Sequence, residues 1–249
     1  GASMTFSNFL KEVDSVVQKQ YVFERFKAGH TGRGTVVEEP KFTFEAPTFK
    51  TKISLPLCSE VHSAKIYLED RGLDATKFYY AEKFKEFVNS YAKSCGSSDV
   101  PLFESRKGDE PRIIIPLFYK KNLIGVQGRS LGSSLVKYIT TMFVDDAPKI
   151  YGLDEITDSK PVYIVEGPFD STLIQNAVAM CGSDVDIGPF NWSDYIYVYD
   201  NEPRNREIVN RISKTIDRGD KVVIWPNNIL EKDINDMVLA GHDVQSMVE

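Results

Sequence analysis

With 249 residues, 42% of them hydrophobic and 27% charged, the chain is long enough for one large domain or two small ones with real cores. No apolar run approaches the roughly 20 residues of a membrane span, no secretory signal is visible, and Cys58, Cys95 and Cys181 lie too far apart for a zinc knuckle or a disulfide framework, so a reduced cytoplasmic protein without a membrane partner is the simplest expectation. The net charge of −6 argues against a nucleic-acid partner only if it is evenly spread, and it is not: seven Lys/Arg stand against three Asp/Glu from Glu104 to Lys137, and nine against twenty from Asp145 to Glu249.

In chain order, residues 6–26 read as an amphipathic helix, with Phe9, Leu10, Val13, Val16, Val17 and Tyr21 near helical spacing. Residues 29–50 hold Gly, Thr, Pro and Glu without a period and read as a linker or extended arm. A short helix over 63–71 stops at Gly72, a second over 81–93 places Phe84, Phe87, Val88 and Tyr91 on one side, and 95–99 form a turn. That helical spacing favours core aromatics over base-stacking ones. The period then changes. RIIIPLFY (112–119) and LIGVQGR (123–129) read as strands of a hairpin turned by Lys120-Lys121-Asn122, a solvated turn, and 137–142 as another strand. Alternation allows Arg112 and Arg129 to share one face of that hairpin. No internal repeat is present. Beyond Tyr151, strands over 162–165, 196–199 and 221–225 alternate with helices over 171–180, 204–218 and 234–240, the pattern of a parallel sheet with crossover helices.

Acids gather at the ends of those strands: Glu166 in VYIVEGPFD, Asp200 and Glu202 in YDNE, then Asp233 and Asp236 in KDIND. Parallel strands end on one edge, where such sheets place their chemistry. Carboxylates brought together there repel unless cations sit among them. Oxygen-only ligands suit Mg²⁺ or Mn²⁺, which stabilise attacking and leaving oxygens in phosphoryl transfer. Each acid also has an ordinary explanation: Asp170 and Asp233 as helix caps, Asp200-Asn201 as turn chemistry, Asn201 as a polar spacer. Three clusters at successive strand ends are harder to explain that way. Gly167 suits a close backbone approach or a positive φ.

The combination EG-x-x-D, D-N-E and KD-x-N-D resembles the TOPRIM domain of primases, topoisomerases and some nucleases, with Glu202 standing where that family has a second Asp. A narrower resemblance joins EGPFDS, YDNEPR and KDINDM with EPRIIIPLF, GVQGRSL and KIYGL, and is to the DNA primases of T-even-like bacteriophages, from about Leu55 to the C-terminus. It implies an α/β fold: a TOPRIM Rossmann-like parallel sheet with helices on both faces (151–249), an N-terminal mixed α+β basic primase lobe (51–150), and a helix with linker before them (1–50). It implies RNA primer synthesis on a single-stranded DNA template from ribonucleoside triphosphates. Glu166, Asp200 and Glu202 would be catalytic and hold Mg²⁺ or Mn²⁺, together with Asp233 and Asp236. Asp170 and Asn235 would support those ligands, with Asn235 in place of the family's second late acid. Arg112, Gln127, Arg129 and Lys137 would bind nucleotide or nucleic acid. Glu166 can equally serve as a base. The resemblance further implies a replicative helicase and a single-strand-binding protein as partners, the host-cell cytoplasm as location, and zinc only in an N-terminal module absent from this sequence. Gly1-Ala2-Ser3 reads as a cloning scar or as residues just past that module. Two rivals stand beside this reading. A TOPRIM nuclease would use the same acids but shorten DNA. A non-catalytic nucleic-acid- or helicase-binding module would show no response to Mg²⁺.

Overall fold

The structure is a computed structural model and describes residues 6–27, 53–182 and 187–249. The arm expected over 29–50 lies outside the described residues. The chain divides into two compact units, residues 1–46 and 47–249.

In the first unit the single helix expected over 6–26 is two, α1 (Phe6–Val13) and α2 (Ser15–Lys27). Asp14 makes the break. Its Oδ1 accepts the Val16 N–H at 2.8 Å, so the side chain caps α2 instead of continuing α1. The chain folds back on itself, with the Phe6 ring edge-on to Tyr21 at 5.2 Å and Gln18 Nε2 donating to Ser7 Oγ.

The second unit holds two sheets. The first is an antiparallel meander, β1 (Tyr79–Ala81), β2 (Arg112–Tyr119), β3 (Asn122–Ser130) and β4 (Tyr138–Met142), in that spatial order. One face (Ile114, Leu123, Val126) is covered by Phe84, Val88 and Tyr91 of α4 (Phe84–Ser94). Gly128 is required there, because a Cβ would lie 2.5 Å from the Phe84 ring. The other face (Ile113, Ile115, Leu117) joins a core shared with the second sheet and with α3 (His62–Glu69). The hairpin turn is left-handed at both Lys120 (φ 51°) and Lys121 (φ 63°), a conformation that suits Asn or Gly better. Both of its N–H groups donate to the Asp154 carboxylate at 2.7 Å, which holds the turn.

The second sheet runs β5-β7-β6-β8-β9, with β5 (Ile150–Tyr151) antiparallel and β6 (Val162–Val165), β7 (Ala177–Met180), β8 (Tyr195–Val198) and β9 (Lys221–Val222) parallel. Tyr163 and Val165 face α5 (Pro168–Ser171), α7 (Ile234–Leu239) and α8 (Val244–Val248), whereas Val162 and Ile164 face α6 (Arg206–Asp217), so helices cover both faces. One expectation is overturned: residues 171–180 are not a helix. A single turn, α5, ends at Ser171, and Ala177–Met180 is the strand β7 beside β6. Asn176, left-handed at φ 56°, makes the corner, and its Nδ2 donates to the carbonyls of Thr157, Lys160 and Pro161. The strand expected over 221–225 keeps sheet pairing only at its first two residues. The three cysteines are buried and unpaired. Among the described residues no helix is long and apolar enough to cross a membrane.

Candidate active site

Val165 and Val198 are the last register partners on neighbouring parallel strands, so Glu166 leaves β6 opposite Tyr199, and Asp200 follows one residue further along the same sheet edge. The pleat carries Glu166 toward α6, where Arg211 donates to its Oε1 at 3.0 Å. The guanidinium of Arg211 also lies over the Tyr199 ring, 5.0 Å from its centroid. Asp200 leans the other way, toward Asp170 and Asp233. Burial, then the charges of Glu166, Asp170 and Asp233, push the Asp200 carboxyl up to about 7. Asp170 is likewise pushed up to about 7, by burial and by Asp233. Burial also raises Glu166, against the pull of Arg211. Glu202 is held down by hydrogen bonds from Asn205 and Lys232, whose Nζ lies 3.2 Å from its Oε1.

The local sequence builds this convergence. The Asn201 side chain donates to the carbonyls of Ile229 and Glu231, and its N–H to that of Lys232 at 2.7 Å. It therefore clamps the KDIND loop to the end of β8 and is no mere spacer. Asp233 caps α7 through the Asp236 N–H at 2.8 Å. Asp170 does not cap its own helix; its Oδ1 accepts the Asn235 N–H at 3.0 Å. Gly167 is extended (φ −117°), so close approach is what it serves: a Cβ there would lie 2.6 Å from Asp170 Oδ2. Gly167→Ala is expected to dislodge the carboxylate and cost about 1–3 kcal/mol, measurable by urea denaturation. Asn235 is buried and spends its amide on Arg71, accepting from Nη1 at 3.2 Å and donating to the Arg71 carbonyl. Asp236 is exposed on the first turn of α7.

The four basic-lobe residues part company. Arg112 pairs with Ser130, and Ile113 with Arg129, so the two arginines lie on opposite faces of the sheet; the expectation of a shared face is corrected by this register. Arg112 is 2% exposed. Its guanidinium, above the Phe84 ring, donates to the carbonyls of Gly128, Val136 and Lys137 and pairs with Glu110. It shapes the 131–137 loop, with both terminal nitrogens of its guanidinium engaged there. Arg112→Met is expected to leave those carbonyls and Glu110 unpaired and to cost about 3 kcal/mol in urea denaturation. Arg129 and Gln127 face the second sheet. Arg129 Nε donates to the Tyr67 hydroxyl at 3.0 Å and its guanidinium covers the Tyr138 ring at 4.6 Å. Gln127 donates to Thr140 Oγ1, while its buried Oε1 has no partner among the described residues. Lys137 is exposed. Burial raises the half-exposed Tyr138, which feels the charges of Arg129, Asp170 and Arg71. The basic wall thus meets the acids at Asp170.

Sequence reasoning misses Arg71, Tyr67, Tyr138, Arg211 and Lys232. Lys232 alone carries a local signal, its place inside KDIND. The others are brought in only by tertiary packing.

No family model matches the chain. The DNA primase of Enterobacteria phage T4 is 31% identical over 243 residues, which cover 92% of this chain and 68% of that protein. The Aquifex aeolicus primase, a crystal structure of zinc-binding and RNA polymerase domains, aligns with a TM-score of 0.54 at 22% identity over 72% of this chain; the chain spans only 52% of that one. A DnaG primase catalytic domain bound to single-stranded DNA aligns with a TM-score of 0.51 at 20% identity, over 79% of this chain and 74% of its own. The structural likenesses, at these identities, establish the fold of a primase catalytic core. Taken with the identity to the phage protein along nearly the whole chain, they mean that this protein belongs to the DNA primases.

Proposed function

We propose that the chain is the RNA-polymerising part of a primase, joining ribonucleotides on a single-stranded DNA template. The reading rests chiefly on Glu166 and Asp200 following the neighbouring ends of the parallel strands β6 and β8, close enough for the Glu166 charge to help raise the Asp200 carboxyl. The acid donor set fits a hard divalent cation. Asp170 and Asp200 are carboxylates raised by burial and by neighbouring acids, Asp233 for Asp170 and Glu166, Asp170 and Asp233 for Asp200, and such groups ionise readily only when a cation offsets them. Among the described residues no three acids, His or Cys already form a ready cage. Mg²⁺ and Mn²⁺ tolerate this, since they keep several waters and need one or two carboxylates beside substrate phosphates.

Glu166, Asp200 and Asp233 would hold the metal, with Glu202 at the rim beside Lys232. A bound divalent cation supplies charge stabilisation to the entering and departing oxygens. In the reaction, the 3′-oxygen of one nucleotide attacks the α-phosphorus of the next triphosphate and pyrophosphate leaves. Glu166 keeps one oxygen on Arg211, which leaves the other for the metal or for the 3′-hydroxyl proton. A groove of about 780 Å³ beside Asp200, Glu202 and Lys232, walled by Trp225 and Arg204, is of a size that accepts a nucleotide. Arg129 and the exposed Lys137 would take template or nucleotide phosphates. Family membership supports a replicative helicase and a single-strand-binding protein as partners and the host-cell cytoplasm as location. The same membership disfavours the nuclease and the non-catalytic module.

The test incubates the protein with single-stranded DNA, ribonucleoside triphosphates and Mg²⁺ or Mn²⁺. Oligoribonucleotides support the reading. Shortened DNA without them points to a nuclease, and no product with no cation-induced thermal shift points to a binding module.

A further inference from the structure

Arg71 has no role in the proposed chemistry, yet it stands where the two sheets' functional groups meet. It ends the turn after α3, with its N–H on the Leu68 carbonyl. Its guanidinium lies over the Tyr67 ring, 5.0 Å from the centroid. Tyr67, one turn back on α3, accepts from Arg129 Nε, and Arg129 in turn covers Tyr138. In the other direction Arg71 Nη1 donates to Asn235 Oδ1 and the Arg71 carbonyl accepts from Asn235 Nδ2. The Asn235 N–H is bonded by Asp170. A chain of contacts therefore runs Tyr138–Arg129–Tyr67–Arg71–Asn235–Asp170, its last step through the Asn235 backbone N–H, from the basic wall to the acid cluster. Asn235 is 3% exposed and both ends of its amide are used on one residue. The backbone packs there too: Gly72 lies against Leu239 of α7, whose Cδ2 would sit 3.8 Å from a Cβ on that glycine.

We infer that Arg71 and Asn235 form a latch that positions the basic wall against the acid cluster, setting the distance between bound phosphates and the groups that act on them. The inference rests on the proposed function for what is positioned, but not for the latch itself. Asn235, although it stands at the acidic position of the KDIND motif, then acts through Arg71 and not on a metal. A buried amide paired to a guanidinium and a carbonyl fixes geometry more tightly than apolar contact, because either partner left alone is an unpaired buried polar group.

The experiment compares Arg71→Ala, Arg71→Lys, Asn235→Ala, Asn235→Asp and the double alanine variant. Steady-state primer synthesis, template affinity and amide hydrogen exchange are measured on each. A misaligned but intact binding wall lowers kcat, by roughly tenfold to a hundredfold, with nucleotide KM and template Kd within about threefold. Asn235→Asp, which still accepts from Arg71 Nη1 but sets a carboxylate oxygen against the Arg71 carbonyl in place of a donor, should lose kcat as well, and Arg71→Lys, which loses the planar fork, should lose it too. The double variant should be no worse than the weaker single one, since both remove the same unit. Exchange should quicken in both segments, 62–73 and 233–240, in either alanine variant. A tenfold rise in KM or Kd at unchanged kcat would make Arg71 a ligand contact and overturn the latch, as would additive losses or quickening in only one segment. If the wild type makes no primers, the function falls, and the exchange experiment still decides the latch.

Discussion

Glu166→Gln is expected to reduce primer synthesis by at least about a hundredfold to a thousandfold while the protein melts within a few degrees of the wild type. The substitution removes the charge and keeps the shape. The carbonyl oxygen of the introduced amide can still accept from Arg211 Nη1, which in the wild type lies 3.0 Å from Glu166 Oε1, so α6 stays docked to the end of β6. Binding of single-stranded template should change little, because Arg129 and Lys137 belong to the other sheet and its loop. Loss is expected in turnover, where a negative oxygen beside the reacting phosphate has no substitute. Denaturing gels of labelled oligoribonucleotides, with thermal melts on the same samples, check it. Undiminished synthesis would take Glu166 out of the chemistry, and with it the strand-end site. Synthesis lost together with the cooperative melt would mean that the carboxylate serves the fold.

Much of this arrangement is legible in the sequence because the acids are local. Strand β6 ending at Val165, just before Glu166, and β8 ending at Val198, two residues before Asp200, follow from short apolar runs that stop at charge, and parallel strands must end together. The crossover misleads because LIQNAVAM satisfies helical and strand patterns alike, and Ala and Met favour the helix. What decides is Asn176, whose left-handed backbone and three carbonyl contacts stop the turn after α5 and start β7. An Asn between apolar pairs is the available hint. The Asp14 break is hidden for a related reason: a single short acid outcompetes a continuous helical pattern.

The basic lobe is less legible. That Arg112 and Arg129 belong to one hairpin follows from spacing, but their faces depend on a register that carries a bulge between Leu117 and Phe118. One residue of slip reverses every side chain. Nor does a sequence reveal that the 131–137 loop folds back to consume the Arg112 guanidinium through carbonyls of Val136 and Lys137. Arg211, on a helix 45 positions from Glu166, and the Arg71–Asn235 pair, 164 apart, come together only once the sheets are stacked. The rule that emerges is physical. Functional groups placed by strand ends can be read from a chain, whereas those placed by layer packing cannot.

Asp200→Asn should abolish primer synthesis and, in the absence of divalent cations, make the protein more stable at pH 8. In the folded state the Asp200 carboxyl titrates at about 7, above its ordinary 3.8, with burial the leading cause and Glu166, Asp170 and Asp233 next. A raised acid means that the folded protein holds a proton the unfolded chain has released. Folding stability then falls as pH climbs from about 4 to 7 and stays reduced above it. The full shift would correspond to about 4 kcal/mol; with the group half-buried, solvent screening brings the expected cost to about 2 kcal/mol, or roughly 4–8 °C in melting temperature for a domain of this size. The Asn variant should gain that much at pH 8 in EDTA. Its advantage should shrink steadily below about pH 7 and vanish at about pH 3, where the wild-type side chain is protonated in folded and unfolded chains alike. Millimolar Mg²⁺ or Mn²⁺ should raise the wild-type melting temperature at pH 8, do so less at pH 6, where protons compete, and leave the variant nearly unmoved. Identical pH profiles for wild type and variant would mean that Asp200 is not strained by its neighbours. A cation response that survives the substitution would move the metal to other ligands. If both predicted differences hold, the instability of the empty acid cluster and its capacity to bind a cation have one cause, the packing of like charges at the end of β8.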